Sequence, residues 1–277
     1  MQSNFSPWGS ILVAVALALL VVGCSESVQV RIPVISSSDQ HAIAEVEAII
    51  YKPKGQGIFP VIIFNHGSAG GNPKLTYKWS EQAKYFVSKG FIVIAPMRKG
   101  RGQSSGLSLE SEDKNCDIAS WDKGIQSAME DLDAVIKFAG SVPEVKHDEI
   151  HLLGQSRGGF LSVAYAAEGK FKEQIKSVIN FSGGWVAQKE DQCLLDFNKV
   201  AFAQFAAKSK IPMLWLYGAN DLYFGDESVF SYHTAFKKSG GVADFHLIQD
   251  VPNNGHELIE YPDKWKSLID DFLNQLV

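Results

Sequence analysis

Ile150-His151-Leu152-Leu153-Gly154-Gln155-Ser156-Arg157-Gly158-Gly159 is the stretch that decides how this chain is built. Residues 149–154 form a short apolar run ending in glycine, the pattern of a buried strand, and residues 157–167 follow as a helix. Between them stands G-x-S-x-G, at Gly154, Ser156 and Gly158. A strand that turns straight into a helix forces the serine between them into a strained backbone conformation, and glycines on either side remove the side chains that would collide there. Ser156 then sits at a helix N-terminus, where the dipole favours a developing negative charge. In that context Ser156 is the expected nucleophile. The alternative is a plain turn in which the serine only caps the helix.

Outward from this stretch the pattern alternates. Residues 45–51 read as a strand paired with residues 28–35, and residues 61–65 (VIIFN) as a buried strand. Residues 76–89 carry Trp79, Ala83, Phe86 and Val87 at helical spacing, with Gly90 as a stop. Further strands are expected at 91–95, 177–182, 212–218 and 244–250, and further helices at 121–139, 198–208, 226–238 and 261–276. Strands separated by helices of this length imply crossover connections. The fold class is therefore α/β, with a mainly parallel central sheet and helices on both faces. Ligands in such sheets bind beyond the strand C-termini.

The bulk numbers agree with one such domain. The chain has 277 residues, 45% of them hydrophobic and 21% charged, an ordinary globular composition. A net charge of -5 and the absence of a Lys/Arg run argue against a nucleic-acid partner. Arg98, Lys99 and Arg101 cluster in a Gly/Ser-rich loop instead.

A serine hydroxyl needs a base. Of the histidines after Ser156, His233 falls in a predicted helix and His246 in a predicted strand. His256 alone follows a strand in a loop, Asn253-Asn254-Gly255-His256-Glu257, and is the expected base. The acid should follow an earlier strand. Asp221, after Leu214-Trp215-Leu216-Tyr217-Gly218, is preferred to Asp250, at a strand end, and to Asp226, which has the position of a helix cap. Two backbone donors are needed for an oxyanion. The N–H groups of Arg157 and Ser68 are expected to supply them, with Ala69 as the neighbouring choice. His66 precedes the nucleophile and is read as orienting its own loop. Trp185 and Tyr223, each just past a strand end, are candidate walls for a substrate. The Arg157 side chain either meets a substrate carboxylate or makes a surface ion pair. No metal site is expected, because thiols and histidines do not fall at ligand spacing.

The N-terminal segment has a different character. Residues 11–22 are twelve apolar residues, too few to span a bilayer as a helix but the length of a secretory signal core. Val21-Val22-Gly23-Cys24 resembles a bacterial lipobox. The resemblance implies a signal over residues 1–23, a lipid on Cys24, a tether and the start of the first strand over 24–40, and a single domain over 41–277. It implies a protein of the bacterial cell envelope, held by its lipid on the periplasmic face of the outer membrane. The alternative is an N-terminal helix packed on the body. With Cys24 lipidated, Cys116 and Cys193 are the remaining thiols, expected to pair as one disulfide or else to lie buried separately.

Taken together, His66-Gly67-Ser68, the loop from Ala95 to Ser104, Gly154-Gln155-Ser156-Arg157-Gly158-Gly159, Asp221 and His256 resemble the dienelactone-hydrolase-like branch of the α/β hydrolases. They are also similar to the catalytic domains of prolyl-oligopeptidase-type peptidases. The resemblance covers residues 43–276 and implies an α/β-hydrolase fold, a Ser156–Asp221–His256 triad and no cofactor. Dienelactone hydrolases proper use a cysteine where this chain has Ser156, and there is no room for the propeller that the peptidases carry. The implied partner is a small ester or, second, a short peptide. A third reading, a binding protein with a vestigial site, is opposed by the intact set of three residues.

Overall fold

The computed structural model describes residues 27–35, 42–68, 72–110, 117–187 and 192–276, with the backbone alone described at 192–195. The expected signal and tether, with Cys24, lie outside the described residues. So do Ala69, Cys116 and the side chain of Cys193, and with them the expected disulfide.

Eight strands form one sheet: β1 (Ser27–Ile35), β2 (Ala42–Tyr51), β3 (Phe59–Asn65), β4 (Ile92–Pro96), β5 (Val145–Gln155), β6 (Ile175–Phe181), β7 (Met213–Gly218) and β8 (Ala243–Ile248). Their spatial order is β1-β2-β4-β3-β5-β6-β7-β8. β1 and β2 are antiparallel neighbours and β2 runs antiparallel to β4. From β4 to β8 every pairing is parallel.

Successive residues of a strand face opposite sides, and the central strands are apolar on both. Val61 and Ile63 of β3 belong to one core, Ile62 and Phe64 to the other. The first core is covered by α2 (Ile118–Ala139), α3 (Arg157–Glu168), α4 (Gln192–Lys208) and α5 (Asp226–Lys238). The second is covered by α1 (Ser80–Ser88) and α6 (Lys266–Asn274). This is the α/β-hydrolase fold, with helices on both faces as the alternation of apolar strands predicts. No helix among the described residues is long and apolar enough to cross a membrane.

Three expectations are corrected. The first helix starts at Ser80, because Trp79 takes a left-handed backbone (φ 55°) and stacks on Tyr77 at 5.2 Å. The closing helix starts at Lys266, after two short 3-10 turns, Gly255–Glu260 and Pro262–Lys264. The cap of α5 is Gly225, and Asp226 is the first helical residue with no capping bond.

Candidate active site

Ser156 stands between β5 and α3 with φ 57° and ψ -124°, a left-handed conformation that costs on the order of 1–3 kcal/mol for a residue with a Cβ. Close packing holds it there. A Cβ on Gly154 would enter the Gly158 carbonyl, and one on Gly158 would enter the Asn65 carbonyl. The backbone of Ser156 is fully used: its N–H donates to Phe181 O at 2.9 Å, and its carbonyl accepts from Phe160 and Gly184. Its hydroxyl caps nothing in α3, so the capping alternative has no bond to rest on.

His256 arrives from the turn after β8. Its Nδ1 donates to Asp221 Oδ2 at 2.9 Å, and the Asp221 side chain is shielded from solvent. The other oxygen, Oδ1, accepts from the N–H groups of Tyr223 (2.7 Å) and Phe224 (3.0 Å), which fixes the carboxylate's direction. Asn254 Oδ1 ties the two loops together by accepting from His256 N–H and Leu222 N–H. The rival Asp250 is exposed at the end of its strand.

Ser156, Arg157, His256, Ser68, Trp185 and Tyr223 line a single cleft of about 120 Å³, together with Gly67, Tyr77, Gln155, Gly184, Ala187 and Phe224. The structure thus brings these six together, while Asp221 lies outside the lining, behind His256. Trp185 is a buried wall. Tyr223 is a half-exposed rim whose ring lies 4.6 Å from the His256 ring. Gln155 and Tyr77 join the site without a sequence signal. Gln155 Nε2 donates to His256 O at 3.1 Å, linking the serine turn to the histidine loop. Tyr77 stacks on His66 at 5.7 Å. No local pattern marks either.

The loop after β3 is held from behind. His66 is buried. Its Nε2 accepts from Arg98 N–H at 3.0 Å, so its Nδ1 carries the proton and donates to Gly67 O at 2.6 Å. Burial, and then the charge of Arg98, push this imidazole down to about 3. Arg98 donates to His66 O (2.6 Å) and Gly67 O (3.1 Å), and forks onto both oxygens of Glu110. Burial alone would raise the Glu110 carboxyl, but Arg98 overrides it and holds the group at about 2.

The Arg157 side chain is not the surface ion pair that one reading of the sequence expects. The guanidinium is buried, its Nε donates to Trp185 O at 2.9 Å, and its Nη1 lies 3.8 Å from Glu110 Oε2. Among the described residues, no group of three His, Cys, Asp or Glu side chains is placed to hold a metal ion.

Comparison with known proteins bears on the fold and the family. Among solved structures the chain is similar to the esterase Pf2001 of Pyrococcus furiosus, with TM-score 0.64 and 16% identity over 91% of this chain and 90% of that one. It is similar to acetyl xylan esterase 1 of Thermoanaerobacterium sp. JW/SL YS485, with TM-score 0.57 and 19% identity over 91% and 88%. The acylaminoacyl peptidase of Pyrococcus horikoshii gives TM-score 0.64 and 16% identity over 91% of this chain but 42% of that one. These likenesses speak to the fold. No curated protein sequence matches the chain. The profile of the dienelactone hydrolase family matches residues 46–260, a span that holds the serine turn, Asp221 and His256, and the protein belongs to that family of hydrolases.

Proposed function

We propose that the protein is a serine hydrolase that cleaves carboxylic esters of short acyl groups. The observation that carries this reading is the strained, uncapped Ser156 sharing one cleft with a histidine whose Nδ1 is already committed to a buried aspartate. Because Nδ1 bears the proton, Nε2 is left as a lone-pair acceptor for the Ser156 hydroxyl. Ser156 Oγ attacks the ester carbonyl and His256 takes its proton. The carbonyl oxygen becomes an oxyanion facing the N–H groups of Ser68 and Arg157. Collapse breaks the bond to the alcohol, which leaves with the proton from His256. Water then repeats the sequence on the acyl-enzyme. Trp185 and Tyr223 bound the substrate, and a cleft of about 120 Å³ suits a small acyl group. The triad requires no cofactor.

The test is labelling with a fluorophosphonate probe. Wild type is expected to take the label and Ser156→Ala to take none, with turnover of acyl esters exceeding that of matched peptide amides. Equal labelling of both proteins, or of neither, sinks the assignment.

A lipid on Cys24 belongs to the same proposal. Ser27 is in register, through Tyr51, Val93 and Ile62, with His151, five residues before Ser156. The described chain thus enters the sheet level with the middle of β5, not beside the serine turn. Incorporation of labelled palmitate into wild type and not into Cys24→Ser is the expected result. Thiol counting under non-reducing conditions tests the proposed pairing of Cys116 with Cys193.

A further inference from the structure

Three successive carbonyls of the loop after β3 accept from guanidinium groups: His66 O and Gly67 O from Arg98, and Ser68 O from Arg101 at 3.3 Å. Described peptide bonds here are trans, and in a trans peptide the N–H points opposite to the carbonyl of the preceding residue. Drawing the His66 and Gly67 carbonyls toward Arg98 therefore turns the N–H groups of Gly67 and Ser68 the other way. The serine turn lies close to this loop: a Cβ on Gly67 would stand 3.1 Å from Ser156 Cβ. A guanidinium on the carbonyl also polarises the peptide and strengthens its N–H as a donor.

Glu110 is the anion these cations share. Arg98 forks onto it, Arg101 Nη2 lies 3.6 Å from its Oε2, and Arg157 Nη1 lies 3.8 Å from the same oxygen. Arg157 is also the residue after Ser156, whose backbone N–H is the second proposed oxyanion donor. Glu110 is buried and is absent from the lining of the cleft. One carboxylate thus joins the supports of both donors, the Ser68 loop through Arg98 and the start of α3 through Arg157.

We infer that Glu110 is a positioning residue, whose charge sets the spacing of the two oxyanion donors by holding Arg98 on the loop carbonyls and Arg157 beside the serine turn. The inference rests on Ser156 being the nucleophile. Removing the charge leaves three buried guanidiniums to repel one another and frees Arg98 from its fork. A displacement of about 1 Å at an oxyanion donor is enough to cost about 100-fold in rate.

The experiment compares wild type, Glu110→Gln, Glu110→Asp and Arg98→Lys, each first checked for a folded circular dichroism spectrum. Three quantities are read: kcat, KM for a soluble ester, and the affinity of a trifluoromethyl ketone, whose serine adduct carries the oxyanion. Glu110→Gln is expected to lose about 100-fold in kcat, with KM within about threefold and ketone affinity falling by the same factor as kcat/KM. Glu110→Asp should recover part of the loss. Arg98→Lys keeps a positive charge without the fork and should show the same pattern, which covers the case of a poorly folding Glu110→Gln. A folded variant whose kcat and ketone affinity stay within about threefold of wild type overturns the inference while leaving the nucleophile intact. Absence of fluorophosphonate label on wild type overturns both.

Discussion

The two sides of the Ser156 cleft are built differently. On the side of β3, the loop from Asn65 to Ser68 is held at almost every polar atom. Its carbonyls meet guanidiniums, its histidine uses both ring nitrogens on the backbone, and Asn65 is braced through Ser162 to Gly158. On the side of β7 and β8, the His256 ring has one hydrogen bond among the described residues, to Asp221, and its neighbours Leu222 and Tyr223 are 72% and 43% exposed. The contrast follows from the proposed chemistry. Donors for a developing charge act best when they need no rearrangement, whereas an imidazole that takes and returns a proton must keep one nitrogen uncommitted.

The comparison is broken most severely on the lightly held side. His256→Ala should lower kcat by about 10⁶ with little change in melting temperature, since the ring supports no backbone. Retention of more than a hundredth of the rate would remove it as the base. Asp221→Asn should cost about 10⁴ in kcat, because the amide stabilises the wrong tautomer. That loss should appear without a matching loss of substrate affinity. On the heavily held side, Gly158→Ala should show as misfolding and not as slow turnover. Its methyl has nowhere to go but the Asn65 carbonyl, and a soluble, well-folded variant would contradict the packing described above.

Acid sharpens the same contrast. The folded chain holds His66 at about 3 and His151 at about 4, both chiefly by burial. The unfolded chain protonates both near their ordinary value of 6.5. Between these values the unfolded state binds more protons, so stability rises with pH and falls on acidification. At pH 5 each histidine withdraws about 2 kcal/mol relative to neutral pH. Asp131, which burial raises to about 6, offsets part of this, because there it is the folded state that holds the proton more tightly. Melting temperatures at pH 7 and pH 5 should therefore differ, and His66→Gln should narrow the gap. An unchanged gap would mean that His66 is not protonated on unfolding in that range. The smallest effect belongs to the rim: Tyr223→Ala should change kcat/KM by only a few fold, read from a series of ester alcohols.

Much of this was legible in the sequence because it is local. The serine turn declares itself by glycines two residues either side of Ser156, and the order of Ser156, Asp221 and His256 follows the order of strand ends. Buried strands such as β3 are visible as runs of β-branched residues. What failed to show depends on tertiary contact. Trp79 has the spacing of a helical residue, but stacking on Tyr77 holds it out of the helix. The closing helix loses its first turn to the separate 3-10 turn Pro262–Lys264. Glu110 and Arg98 lie twelve residues apart in a loop with no periodicity, and only the fold makes them a pair. The burial of Arg157 behind Trp185 is not legible locally because it depends on α4, whose Asn198 Oδ1 accepts from the Trp185 backbone N–H.

The glycines of the serine turn have a consequence for how such an enzyme can be altered. Gly154 and Gly158 sit where a single added carbon meets main chain on another element, and no side-chain adjustment relieves that. Trp185, Tyr223, Tyr77 and Ala187 also line the cleft. For the proposed reaction, mutational freedom is therefore divided: the nucleophile is fixed by backbone that tolerates no substituent, while the proposed choice of what is cleaved rests on a few replaceable walls.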